Sequence, residues 1–350
     1  KAENVDHVIY GNVIQSNVNA AYLARHIGLN AGVPQEVPAL TLNRLCGSGA
    51  QAVVSAAQHI LLGEADIVLA GGAENMSMSP YANFTQRFSK AKMGPMQFED
   101  MLLATLTDQY TGSGMGMTAE KLAEQYDISR EAQDAFAVES NQRAAKAATG
   151  GQFDEEIVGV EVKTRKGPVM VGKDEHIKPD ANTEGLSKLR PSFKKDGSVT
   201  AGNASGINDG AASLVVAGED AVKKHGLSPV ARIVSWHVAG VDPSIMGTGP
   251  IPASTKCLQK AGWSVDDLER VEANEAFAAQ AMCVNQEMGW DTDKVNVNGG
   301  AIALGHPLGA TGTKLMTTLL HELERSGGRY GLQTMCEGGG QANVTVIERL

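Results

Sequence analysis

The chain has 350 residues, 42% of them hydrophobic and 20% charged, and thirty Lys and Arg against forty Asp and Glu give a formal charge of −10. That is apolar material for one large core or two ordinary ones, too much for a disordered chain, and an acidic balance that opposes general binding of nucleic acid or an anionic membrane surface. Four cysteines without a CxxC pair exclude a disulfide framework and a cysteine-rich zinc module, and no apolar run reaches the roughly 18–20 residues of a membrane span.

The sequence opens on an apolar strand over residues 5–10 that ends at a Gly-Asn turn. Further strands are predicted over 37–42 and 66–70, with a small-residue helix over 48–62 between them. From Ser79 to about Ser205 the pattern changes. Polar segments surround two predicted helices, 118–125 and 129–148, the second with Ser129 as N-cap and Gly150-Gly151 as its stop. An alternating stretch (Ile157, Val160, Val162) follows. Between residues 161 and 195, nine Lys and Arg against five acidic residues leave a net +4. That segment is either a solvated excursion or a local basic surface for a polyanionic ligand. Beyond it, strands are predicted over 212–217, 231–238, 270–273, 294–297, 330–335 and 343–347, and helices over 253–261, 275–287 and 312–326. Buried strands alternating with helices predict a layered α/β architecture. Both ends of the chain share a plan: a strand, a glycine-bounded turn carrying a reactive side chain, then a helix. Two similar α/β halves facing each other are expected.

Four places carry chemistry. Cys46 lies in Leu45-Cys46-Gly47-Ser48-Gly49, between a strand and a helix start. Free N–H groups there would lower its pKa, and the glycines would admit a carbonyl to backbone donors; an inert packed cysteine is the competing reading. His306, boxed in Gly305-His306-Pro307-Leu308-Gly309, suits either a base or a turn. Cys336 heads a run of Glu337 and three glycines able to expose an anion nest. Asn274, in Asn274-Glu275-Ala276-Phe277-Ala278, caps the next helix or serves the same site. Two thiols, an imidazole and an amide at strand ends make a nucleophile, its base and a second proton carrier. No Cys or His pair has zinc spacing, and no metal is expected.

Taken together these segments resemble the thiolases. The resemblance runs through essentially the whole chain. It rests on Asn43-Arg44-Leu45-Cys46-Gly47-Ser48-Gly49, Gly71-Gly72-Ala73-Glu74-Asn75-Met76-Ser77, Thr200-Ala201-Gly202-Asn203-Ala204-Ser205-Gly206, the Asn274 segment, Asn298-Gly299-Gly300 with Gly305-His306-Pro307, and Cys336-x-Gly-Gly-Gly. It implies two mixed-sheet α/β halves in α-β-α-β-α layers with an inserted loop domain. The expected division is 1–78 with 207–228 as the N-terminal half, 79–206 as the insertion that binds coenzyme A, and 229–350 as the C-terminal half. It further implies Cys46 as acylated nucleophile, His306 as its base and Cys336 as proton carrier at the α-carbon. Asn274 would hold a water beside His306, and the N–H groups of Cys46 and Gly338 would form a second oxyanion site. Ser205, Met115, Ala276 and Phe277 would line the pantetheine path, with Lys178 at the nucleotide end. Acetyl-CoA, CoA and 3-ketoacyl-CoA are the implied substrates, with no permanent cofactor, in a homodimer or homotetramer of the cytoplasm, or another reducing compartment such as the mitochondrial matrix.

Three departures bear on this expectation. Glu337 stands where an apolar residue is common, and Gly114 where acetoacetyl-specific members often carry His. Family members begin earlier, with a first strand and helix before the equivalent of Lys1. The segments around Met246 and Val271 look like the acetoacetyl-CoA type, and Ala21-Tyr22-Leu23-Ala24-Arg25-His26 like the degradative branch. A medium- or long-chain 3-ketoacyl-CoA thiolase of β-oxidation is therefore the alternative, a ketoacyl synthase a more remote one, and a non-catalytic CoA-binding scaffold the reading from another class.

Overall fold

The computed structural model describes residues 1–88 and 93–350; the four remaining residues of the expected 79–206 insertion lie outside the described residues. Two four-stranded sheets organise the chain. The first contains β1 (His7–Gly11), β2 (Ala39–Leu42), β3 (Ile67–Asn75) and β4 (Asp209–Ala217), in the order β4-β3-β1-β2. β1 runs parallel to β2 and β3, with Tyr10 opposite Gly71, and β4 is antiparallel to β3. The second contains β5 (Ala231–Gly240), β6 (Arg270–Ala273), β7 (Tyr330–Glu337) and β8 (Gln341–Arg349), in the order β5-β8-β7-β6. Only β6 and β7 are parallel there. Among the described residues the edge strands are β4 and β2 in the first sheet and β5 and β6 in the second.

Between the sheets lie α2 (Ser48–Leu61) and α8 (Leu308–Ser326), packed on each other and on strands of both. Val53, Ala56, Leu319 and Leu323 bury the apolar faces of these helices. The two helices meet through glycine. A Cβ on Gly312 would lie 2.3 Å from the Ala50 nitrogen, and one on Gly49 would lie 2.8 Å from the Thr313 nitrogen. Thr313 Oγ1 donates to the Gly49 carbonyl at 3.0 Å across the crossing. Outside the first sheet lie α1 (Leu23–Asn30) and α5 (Glu219–His225); α6 (Pro250–Ala261) covers the second, beside α7 (Ala278–Met288). This is the five-layer α-β-α-β-α arrangement. Within the expected insertion lie α3 (Met115–Gln125) and α4 (Arg130–Thr149), both packed against α7.

Local expectations fail in two places. The strand predicted over 294–297 is a 3-10 turn, Thr292–Lys294, followed by a single bridge from Val295 to Val271. Asn296 there has φ +46°, and its carboxamide bonds both the N–H and the carbonyl of Ala273, so the segment leaves the ladder to buttress the end of β6. The helix predicted from residue 275 starts at Ala278. Glu275 is instead held by Ser140 Oγ at 2.7 Å, Asn296 Nδ2 at 3.0 Å and the Ile302 N–H at 3.3 Å, which keeps residues 274–277 out of the helix. Asn274 is therefore not a cap. The alternating stretch near Val160 forms an exposed hairpin, Val160–Thr164 with Gly167–Val171, whose alternation buries nothing.

Candidate active site

The turn before α2 is built by side chains of its own segment. Asn43 Oδ1 accepts from the Leu45 N–H at 2.8 Å. Ser48 Oγ accepts from the Arg44 N–H at 2.9 Å and donates to the Leu45 carbonyl at 2.6 Å. These bonds hold Leu45 at φ +49°, a conformation that costs a leucine on the order of 1–3 kcal/mol. The strained turn presents Cys46 at the end of the first sheet.

The second turn is set by Asn208. Its Oδ1 accepts from the His306 N–H at 3.0 Å, and its carboxamide lies where a Cβ on Gly305 (φ +91°) would fall, at 2.5 Å. Lys314 Nζ donates to the Gly305 carbonyl at 3.1 Å. The His306 imidazole is buried, 4% exposed. Its Nδ1 lies 2.7 Å from Thr311 Oγ1, which donates its only proton to the Pro307 carbonyl at 2.9 Å. Thr311 must therefore accept, so the hydrogen-bond network assigns the proton of neutral His306 to Nδ1. Asn274 Nδ2, 3.4 Å from Nε2, agrees: a donor amide faces the free lone pair. Burial, then the Lys314 charge, depresses the imidazole pKa to about 3, so the ring is neutral and basic at Nε2 near pH 7.

Cys336, near the end of β7, is buried among Met115, Ala119, Val199, Ala204, Met246, Ala276 and Phe277. Its thiol is pushed up first by burial, then by Cys46, so each thiol feels the other's charge. The Gly338 and Cys46 N–H groups act to lower the Cys46 pKa. Yet the Cys46 pKa rises to about 12, because burial and the Glu337 charge outweigh those donors. The expected thiolate at a helix N-terminus is thus reversed: Cys46 rests as a thiol and needs a base. Glu337 raises Cys336 as well, the direction that the sequence left open.

Other expected residues divide into two groups. Ser205, Met115, Ala276 and Phe277 come together: the Ser205 N–H donates to the Ala276 carbonyl at 3.0 Å, Ala204 bridges Phe277, and Met115 packs in the Cys336 cluster. Asn203 secures this meeting through Asp134 Oδ1 and the Ser198 carbonyl. Phe193 lies edge-on to Phe277, 6.1 Å between centroids, and carries the basic end of the 161–195 stretch to this wall. Lys178 is exposed, and its N–H is anchored to Asn141 of α4 at 3.0 Å, away from the Met115–Phe277 contacts. Gly114 opens α3, and a Cβ there would meet only the Leu106 carbonyl, at 3.7 Å. Among the described residues no cluster of His, Cys, Asp and Glu is arranged to hold a metal ion.

Sequence reasoning missed Asn208, Thr311, Lys314 and Glu74. Glu74 accepts from the Val13, Ile14 and Gly309 N–H groups and from Asn12 Nδ2, tying β3 to the start of α8. Thr311, five residues after His306 in the first turn of α8, had the only readable signal.

Residues 1–220 match the family described as Thiolase, N-terminal domain, and residues 227–349 match Thiolase, C-terminal domain. The chain is 52% identical over 350 residues to acetyl-CoA acetyltransferase of Allochromatium vinosum, covering 99% of this chain and 88% of that protein. It is 51% identical over 346 residues to the mitochondrial 3-ketoacyl-CoA thiolase of Homo sapiens, covering 99% and 87%. The crystal structure of human mitochondrial 3-ketoacyl-CoA thiolase in complex with CoA superposes with a TM-score of 0.96 at 50% identity, covering 100% of this chain and 88% of that one.

Proposed function

The chain belongs to the thiolase family, and on that premise we propose how its residues divide the reaction. The enzyme is a thiolase-type acyltransferase that makes and cleaves 3-ketoacyl-CoA by Claisen chemistry, with CoA and acyl-CoA as substrates. In thiolysis, His306 Nε2 takes the proton of the Cys46 thiol as the sulfur attacks the 3-keto carbon. The bond between C2 and C3 breaks, leaving an acyl-Cys46 and the enolate of acetyl-CoA. Cys336, whose raised pKa keeps it protonated, gives its proton to the enolate carbon. The Cys336 thiolate then takes the proton of the CoA thiol as the CoA sulfur attacks the acyl group, and Cys46 leaves as a thiol with the proton returned from His306. The Cys46 and Gly338 N–H groups would hold the negative oxygen on the acyl carbon. The other oxyanion site falls to His306 and Asn274, whose buried Oδ1 has no hydrogen-bond partner and would hold a water.

The observation that carries this reading is the hydrogen-bonded His306: Thr311 on one nitrogen, Asn274 on the other, in a ring kept neutral by burial. The substrates proposed are acetoacetyl-CoA and other 3-ketoacyl-CoAs, entering between Met115, Ser205, Ala276 and Phe277. Lys178 and the basic residues around Phe193 are proposed for the nucleotide end. Similar identities to an acetyltransferase and to a 3-ketoacyl-CoA thiolase leave chain length to experiment. We also propose the division 1–78 with 207–228, 79–206 and 229–350. A homodimer or homotetramer is supported by exposed Phe84, Phe88, Phe98 and Tyr110 on the insertion. Four free cysteines support a reducing compartment, cytoplasm or mitochondrial matrix. The test is thiolysis by the purified chain, comparing kcat/KM for acetoacetyl-CoA and a medium-chain 3-ketoacyl-CoA. Higher kcat/KM for the four-carbon substrate supports an acetyltransferase, and the reverse a β-oxidation enzyme. Activity on neither, in a folded sample, refutes the proposed roles.

A further inference from the structure

Glu337 is a buried acid beside the site that the reaction above does not use. It ends β7, next to Cys336 but on the opposite face of the strand, and is fully buried. Its Oε1 accepts from Asn343 Nδ2 at 2.7 Å, and the same amide donates to the Gly47 carbonyl at 3.1 Å. A Cβ on Gly47 would come within 1.8 Å of Oε1, so the carboxyl lies flush against the residue that follows the nucleophile. The other oxygen, Oε2, is buried without a hydrogen-bond partner. A carboxylate has about four acceptor sites and finds one donor here, an environment that suits the neutral acid.

The neighbours reinforce this. From the turn before α2, Arg44 favours the charged form, but its guanidinium reaches Gln341 Oε1 at 3.5 Å and makes no ion pair with Glu337 among the described residues. From the same turn the Cys46 thiol feels Glu337, and so does Cys336 on β7. From β8, Asn343 and Gln341 are neutral. Glu74, on β3, also acts on Cys46 and is the other acid bearing on the nucleophile.

We propose that Glu337 is a positioning residue acting through Cys46: as a neutral acid it supports the Gly47 end of the nucleophile's turn, and as a carboxylate it opposes formation of the Cys46 thiolate. The inference rests on Cys46 being the nucleophile. Burial lifts the carboxyl pKa to about 8, so the neutral form prevails at pH 7 and the opposing charge develops as pH rises past that value. Reactivity of Cys46 should therefore climb with pH up to that region and then more slowly.

The test is alkylation of Cys46 by iodoacetamide in the full chain, followed by peptide mass spectrometry between pH 6 and 9.5, for wild type and Glu337→Gln. Glutamine keeps the acceptor for Asn343 and removes the titration. The two rates should coincide at pH 6, with the variant about tenfold faster at pH 9.5, the effect of one pKa unit. Parallel profiles, or a slower variant at high pH, would overturn the proposal. If the variant does not fold, the wild-type profile decides: a break in slope near pH 8 is expected, and an unbroken line to pH 9.5 overturns it. Thiolysis of acetoacetyl-CoA is scored separately. A chain that alkylates as described yet cleaves no 3-ketoacyl-CoA would refute the reaction roles and leave the Glu337–Cys46 coupling standing.

Discussion

Replacing Thr311 by valine removes one hydroxyl and almost nothing else. That hydroxyl accepts from His306 Nδ1 at 2.7 Å while donating to the Pro307 carbonyl. Valine fills a similar volume, so packing changes little, but the Nδ1–H loses its acceptor inside a buried pocket. Leaving a buried donor unpaired costs about 1–3 kcal/mol. The ring escapes that cost by moving its proton to Nε2, which leaves that nitrogen unable to act as the proposed base for Cys46. At about 1.4 kcal/mol per factor of ten, kcat/KM for acetoacetyl-CoA thiolysis should fall between about fivefold and about 150-fold. The loss should sit in kcat, because Thr311 is buried behind the ring. Thr311→Ser, which restores the oxygen, should recover most of the rate. A valine variant within twofold of wild type, or a serine variant as impaired as valine, would refute the tautomer assignment.

Other outcomes follow from the same geometry. Gly312→Ala sets a methyl 2.3 Å from the Ala50 nitrogen, backbone that cannot step aside, and should destabilise the fold by about 1–3 kcal/mol, read by urea unfolding. Glu74→Ala strands three backbone N–H groups and should cost several kcal/mol on the same assay, at about 1–3 kcal/mol for each donor left buried. Cys336→Ala should still become acetylated at Cys46 by acetyl-CoA, seen by mass spectrometry, while condensation falls by about 10²–10⁴-fold. His306 binds its proton near pH 3 in the fold and near 6.5 when unfolded. Its burial therefore costs nothing at high pH, and stability is lost as pH falls below 6.5. The loss is about 2 kcal/mol between pH 7 and pH 5, and His306→Asn should flatten that slope.

Some of this site could be read from the chain and some could not. Cys46, His306, Asn274 and Cys336 stood out because each is a reactive residue type fixed between glycines or at a strand end. Thr311, Asn208 and Lys314 did not, because a lone polar residue reveals its partner only when distant segments meet; Asn208 lies 98 residues from the N–H it accepts. The environment of Cys46, the proposed nucleophile, was misjudged for a related reason. Sequence shows the helix start, whose dipole favours a thiolate, but not the burial and the Glu337 carboxyl that outweigh it. The alternating sheets and central helices were legible from periodicity. The segment after residue 294 was not, because Asn296 serves as a buttress and Val295 makes a single bridge instead of a ladder.

The α2–α8 crossing has a consequence for how the enzyme tolerates division. The proposed nucleophile is carried by the first sheet's helix, while its base, amide and proton carrier all belong to the second sheet's half. Neither half holds a working subset, and their register is fixed by glycine contacts closer than any side chain allows. A chain severed in the connection between β4 and β5 would yield a thiol without a base and a base without a thiol. Activity would return only when the fragments docked to within the tolerance of that glycine contact, making turnover a direct gauge of interdomain alignment.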